Sequence, residues 1–261
     1  MLCAVLAGLI GTSAANLLLF EQVNTAADRF VPDPVLTGAT ILGNGLCALM
    51  LLAPALRHAP RLVAGGLLAT PVAGLFTQLP KHLIGEARPA AVLGPGSIHV
   101  HGIRLAGTNS FPSGHAITAF TLVAVLLVGH RVIRRRPALG AAIILAALLV
   151  AASRVAVGAH WPADVLAGAV LGSAAGAIGL LWSAHWRFWG DTPGRVLLAL
   201  IVAGAALALA RTDTGYPSAR ALQFALAALG LGSALWSIWW LRPGVREPGA
   251  GTERPAAPHI S

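Results

Sequence analysis

Eight runs of sixteen to twenty-one largely apolar residues, at 3–20, 36–56, 62–79, 115–130, 138–153, 163–183, 194–210 and 221–241, follow one another along this chain. About 20 apolar residues let an α-helix cross a hydrocarbon core, and a soluble domain has too little interior to hide so many such runs. In hydrocarbon each backbone amide must be bonded within its own helix. The runs therefore predict an all-α, polytopic transmembrane bundle of about eight spans. With 56% hydrophobic and 10% charged residues, the chain has a mean hydropathy of +0.76, which agrees. Residues 1–20 lack a basic leader and stay apolar to Phe20, which predicts a first span and not a cleaved signal. Cys3 and Cys47 lie in or beside apolar runs without metal-ligand spacing and read as small apolar residues.

Basic residues outnumber acidic ones 18 to 9, and their clustering at run ends points to membrane topology and away from nucleic acid. Assigning alternate loops to each side puts eleven of the eighteen on one side and seven on the other. The positive-inside bias makes the richer side cytoplasmic, with both termini on it. The tail 242–261, rich in Pro, Gly and charge, reads as disordered. The poorer side holds six of the nine acids and three cations set directly beside spans: Lys81, Arg88 and Arg154. Charges at that depth are costly and face a cavity or a partner.

Three stretches fall on this poorer side. In KHLIGEARP, Lys81 and Arg88 stand seven residues apart, nearly two helical turns, so both cations can share one face before Pro89 ends the segment. In FPSGH, Pro112, Ser113 and Gly114 open an apolar helix, with Ser113 as cap and His115 beside the free amides of a helix start, a natural anion seat. In SRVAVGAHWPADV, Pro162 suits a first helical turn and places Asp164 four residues after His160, close enough to fix the imidazole tautomer. Gly168, Gly172 and Gly176 continue that face as a small-residue stripe for close helix packing. Alone, each stretch also suits a bland role: headgroup anchors, a capped helix with a passive His, a capping Asp. Together they supply three cations, an amide-lined helix start and two histidines, the parts needed to hold a phosphate, attack it and protonate what leaves.

These motifs closely resemble those of the type 2 phosphatidic acid phosphatase (PAP2) family, which shares its site with vanadium haloperoxidases. The pattern is Lys, six residues, Arg-Pro; Pro-Ser-Gly-His; and Ser-Arg, five residues, His, three residues, Asp. This chain meets each spacing, from Lys81 to Arg88-Pro89, at Pro112 to His115, and from Ser153-Arg154 through His160 to Asp164. The resemblance implies a six-helix core within residues 1–183, with 184–241 adding two further transmembrane helices. It implies that His160 attacks phosphorus, Asp164 orients it and His115 protonates the leaving oxygen. Lys81, Arg88, Ser113, Gly114 and Arg154 would bind the phosphate. No metal or other cofactor is implied. The expected activity is a metal-independent phosphatase of a membrane lipid phosphate in an inner or plasma membrane, active on the periplasmic or extracellular face. Candidate substrates are undecaprenyl pyrophosphate, phosphatidylglycerol phosphate, phosphatidic acid and a lipid A phosphate. Lipid-to-lipid phosphotransfer and a non-catalytic lipid-phosphate carrier are the alternatives. The loop 90–110 is expected to form a short hairpin over the site, with His99 and His101 as solvated loop histidines.

Overall fold

The computed structural model of the chain describes residues 13–94 and 96–242. Among these there is no strand. Nine principal helices follow in order: α1 (Ser13–Phe30), α2 (Asp33–Ile41), α3 (Gly45–Leu52), α4 (Pro60–Ile84), α5 (Gly114–Gly129), α6 (Pro137–Ala156), α7 (Pro162–His185), α8 (Thr192–Arg211) and α9 (Arg220–Trp240). Among the described residues, α4 with its extension to Val92, α6, α7, α8 and α9 with its preceding turn are long and apolar enough to cross a membrane, and the bent pair α2–α3 makes a sixth candidate. The chain is a multi-pass, all-helical membrane protein. At sixteen residues α5 spans about 24 Å, slightly short of a full hydrocarbon core.

Prolines start several of these helices, since proline is pre-set for a first turn and the amide it lacks has no intrahelical partner there. Pro60, Pro137 and Pro162 each begin a helix. Asp191 caps α8, accepting a hydrogen bond from the Gly194 amide at 2.9 Å. The expected run 36–56 is broken by a 76° bend between α2 and α3. Its cause is local: Asn44 leaves the helix and caps α3, accepting from the Leu46 amide at 2.9 Å. Gly43 sits at the bend against two other helices, where a Cβ would lie 2.8 Å from His115 Cβ and 2.9 Å from Val150 Cγ1.

Of the expected first span, residues 3–12 lie outside the described residues, as does all of the expected tail beyond Arg242. The helix that follows runs on to Phe30 instead of stopping at Phe20, and polar residues on its inner face are buried with partners. Asn24 donates to the carbonyls of His99 and Ala156, both at 2.8 Å, and Asn16 accepts from the Ala163 amide at 3.1 Å. The loop 90–110 carries a helical turn at Pro89–Val92 and irregular backbone where the sequence suggested a hairpin.

The glycine stripe of α7 lies against α5, as its spacing predicts. A Cβ at Gly168 would be 2.8 Å from the Ser113 carbonyl oxygen and one at Gly176 2.6 Å from that of Thr121, while one at Gly172 would overlap the Ile117 carbonyl. Thr121 Oγ1 donates across the gap to the Gly172 carbonyl at 3.1 Å. Backbones can approach this closely only without side chains between them, and the result fixes the mouth of α5 beside the mouth of α7. On the far flank α8 and α9 bury Leu198, Val202, Leu209 and Ala234 against Met50 and Val63. The substitution Gly172→Ala places a methyl against backbone that cannot yield and is expected to cost about 1–3 kcal/mol. The measurement is the thermal unfolding midpoint of detergent-solubilised protein, which should fall; an unchanged midpoint would contradict the packing described.

Candidate active site

The end of α6, the start of α7 and the turn between them build one wall of the site. After Ala156 the chain folds back, so that the amides of Ala159 and His160 both donate to the Arg154 carbonyl, at 3.0 and 3.2 Å. This reversal passes through Gly158 at φ +76, a left-handed conformation that favours glycine. His160 is thereby tied to the turn that carries Arg154, and both are almost fully buried. His160 Nδ1 donates to Asp164 Oδ2 at 3.2 Å, which leaves Nε2 with its lone pair directed at the Arg88 guanidinium, whose Nη1 is 3.4 Å away.

Asp164 is 0% exposed and its Oδ2 takes two further hydrogen bonds, from the Trp161 amide at 2.9 Å and the Ser110 hydroxyl at 2.6 Å. The first caps α7. The second reaches a segment that is distant in sequence, and the Ser113 amide adds a backbone bond to the Asp164 carbonyl at 3.1 Å. Ser113 caps α5, its hydroxyl accepting from the Ala116 amide at 3.4 Å. The amides of Gly114 and His115 at this helix start have no intrahelical acceptor. His115 lies within electrostatic range of Arg154, His160, Arg88 and Lys81.

The expectation that Lys81 and Arg88 share one helical face is corrected by the structure. Helix α4 ends at Ile84 with Gly85, at φ +63, as its left-handed cap, and residues 85–88 are not helical. The two cations meet through Asn109 instead. Lys81 Nζ donates to its carbonyl and, at 3.4 Å, to that of Ser110. Arg88 Nε donates to the Asn109 side-chain oxygen at 2.9 Å, and Nη1 donates to the Ala159 carbonyl at 2.9 Å. Asn109 and Ser110 lie immediately before the FPSGH stretch and carry no motif signal of their own.

All eight residues singled out from the three stretches therefore border one region at one end of the bundle. His99 and His101 lie outside it. His101 is not a solvated loop histidine: its side chain is 13% exposed, with Nδ1 donating to Asp33 at 2.9 Å and Nε2 3.4 Å from Asp28. These acids come from the end of α1 and the start of α2, a pairing without local sequence spacing. His99, half-exposed, reaches Asp28 at 3.0 Å.

Comparison with known proteins places the chain. Residues 62–190 match the family model of the PAP2 superfamily. The structure of Aquifex aeolicus LpxE is similar with a TM-score of 0.56 and 30% identity, over 65% of this chain and 97% of that one. The chain belongs to the PAP2 superfamily. Its fold also resembles that of a transmembrane PAP2 type phosphatidylglycerolphosphate phosphatase from Bacillus subtilis, with a TM-score of 0.51 and 24% identity over 71% of this chain and 94% of that one. In sequence it is 35% identical over 111 residues to the lipid A 1-phosphatase of Rhizobium etli, a match covering 38% of this chain and 40% of that protein. The chain thus spans about two fifths of that relative's length.

Burial, followed by the charges of Arg154, Arg88 and Lys81, holds the His160 imidazole well below the ordinary histidine value of 6.5. Because the shift is downward, the neutral ring persists as pH falls through 6.5 and takes a proton only well below it. In nitrogen NMR of histidine-labelled protein, the resonance that disappears in His160→Ala should remain that of a neutral ring at pH 6.5. A ring half-protonated at that pH would contradict the geometry.

Proposed function

We propose that this chain is a metal-independent lipid phosphate phosphatase that works through a phosphohistidine. The observation that carries the reading is the state of His160: Nδ1 is bonded to Asp164 at 3.2 Å, while Nε2 carries a lone pair 3.4 Å from Arg88. Attack by Nε2 forms a nitrogen–phosphorus bond as the bond from phosphorus to the lipid oxygen breaks. His115 donates the proton that the departing oxygen needs, then removes one from the water that cleaves the phosphohistidine and restores His160. Asp164 holds the tautomer and stabilises the positive ring. Lys81, Arg88 and Arg154, with Ser113 and the Gly114 amide, bind the phosphoryl oxygens, over which charge is spread in the transition state.

A lipid substrate is supported by what adjoins the phosphate seat. A groove lined by Gly43, Asn44, Thr77, Gly114 and His115 shares Asn44, Gly45, Thr70, Ala73 and Thr118 with an apolar cavity of about 450 Å³ walled by leucines of α3, α4 and α5. A headgroup can thus lie among the cations while hydrocarbon stays in hydrocarbon. The arginine-rich ends lie opposite the site, which supports action on the periplasmic or extracellular face. Among lipids, similarity to a protein named lipid A 1-phosphatase favours a lipid A phosphate.

The test is purified protein in detergent with a chelator, offered lipid A 1-phosphate, undecaprenyl pyrophosphate, phosphatidylglycerol phosphate and phosphatidic acid. Free phosphate should appear from at least one lipid, vanadate should block it, and His160→Ala should lose about a thousandfold or more in kcat. A newly phosphorylated second lipid without free phosphate would make the protein a transferase, and lipid binding without turnover would make it a carrier.

A further inference from the structure

Tyr216, the one tyrosine of the chain, lies on the loop between α8 and α9, beyond the part that matches the family model. It is 4% exposed. Its hydroxyl accepts a hydrogen bond from Arg154 Nη1 at 2.7 Å, and the guanidinium carbon stands 5.8 Å from its ring centroid. Among the described residues no carboxylate lies within ion-pair distance of Arg154, and its buried Nε has no hydrogen-bond partner.

The ring is itself held in place. Gly102 packs so closely on it that a Cβ there would be 2.5 Å from Tyr216 Cδ1. The Ile103 amide donates to the Gly215 carbonyl at 3.1 Å, and the Ala219 amide to the Tyr216 carbonyl at 3.0 Å. Ser218 shares a hydrogen bond with Thr37 at 2.9 Å, which anchors the same loop to α2. The loop is thus clamped between the segment leading into α5 and the start of α2, with the hydroxyl aimed at the guanidinium.

We propose that Tyr216 is a positioning residue for phosphate binding, supplied by the C-terminal helix pair, that orients Arg154 without neutralising it. A carboxylate in the same place would fix the guanidinium equally well but cancel the charge that an incoming phosphate must meet. A phenolic oxygen accepts one hydrogen bond, leaves the full positive charge, and adds a ring beneath the guanidinium. This assigns α8 and α9 a part in the site: they carry an aromatic prop into the wall behind Arg154. The proposal rests on the reading of Arg154 as a phosphate ligand.

The test is a double-mutant cycle on binding, independent of turnover, with orthovanadate as probe, measured by calorimetry on detergent-purified protein for wild type, Tyr216→Phe, Arg154→Ala and the double variant. Phe keeps the ring packed on Gly102, so the thermal midpoint serves as control and should stay near that of wild type. Arg154→Ala should weaken vanadate binding, and Tyr216→Phe should weaken it about tenfold, with no further loss when added to Arg154→Ala. If Arg154→Ala weakens binding and Tyr216→Phe does not, or if the two losses simply add, the positioning role is overturned while the phosphate reading stands. If Arg154→Ala leaves vanadate affinity unchanged, the phosphate reading of Arg154 falls and the role of Tyr216 falls with it.

Discussion

The Asp164 carboxylate is the contact on which the arrangement of the site depends. One oxygen, fully buried, gathers the His160 ring, the Trp161 amide and the Ser110 hydroxyl. A buried carboxylate left without donors would cost several kcal/mol, so the two segments that carry those donors, the turn at 160–161 and the strip at Ser110, are drawn together. The first donor sets the imidazole tautomer, the second starts α7, and the third holds the strip from Asn109 to Ser113 against it. That strip also supplies the carbonyls that anchor Lys81 and the amide oxygen that anchors Arg88. The glycine stripe below is the condition for this convergence, since it lets α5 and α7 approach until their mouths are adjacent.

The cations around this centre follow a consistent logic. Lys81 is held by backbone carbonyls, Arg88 by Asn109 and the Ala159 carbonyl, and Arg154 by the Tyr216 hydroxyl. Every one of these partners is neutral. Charge kept uncompensated near hydrocarbon is expensive, and its retention is understandable where a dianionic headgroup completes the site. Burial first, and then these same charges, keep the His160 ring neutral, the form that the proposed mechanism requires.

Much of this was legible in the sequence wherever the signal is local. Helix positions follow from apolar runs and from Pro162, and the Ser113 cap and the four-residue step from His160 to Asp164 need no tertiary information. Legibility ended where partners are distant. Asn44 sits inside what reads as one continuous span, and nothing in that run marks that Gly43 at the bend packs against His115 and Val150. Lys81 and Arg88 meet through Asn109 and not along a shared helix, because the helix stops at Gly85 between them. His101 finds Asp28 and Asp33 from two other segments. Tyr216 reaches Arg154 across 62 residues. Periodicity describes the face of one helix and carries no record of which loop from elsewhere will cover it.

The central claim is that a phosphoryl group passes through His160 Nε2. Its most direct measurement is to stop turnover of labelled lipid phosphate with alkali, which preserves a nitrogen–phosphorus bond, and to map the label by peptide mass spectrometry. The account predicts label on the peptide bearing His160. Label on any other residue, or steady turnover with none on the protein, would contradict it.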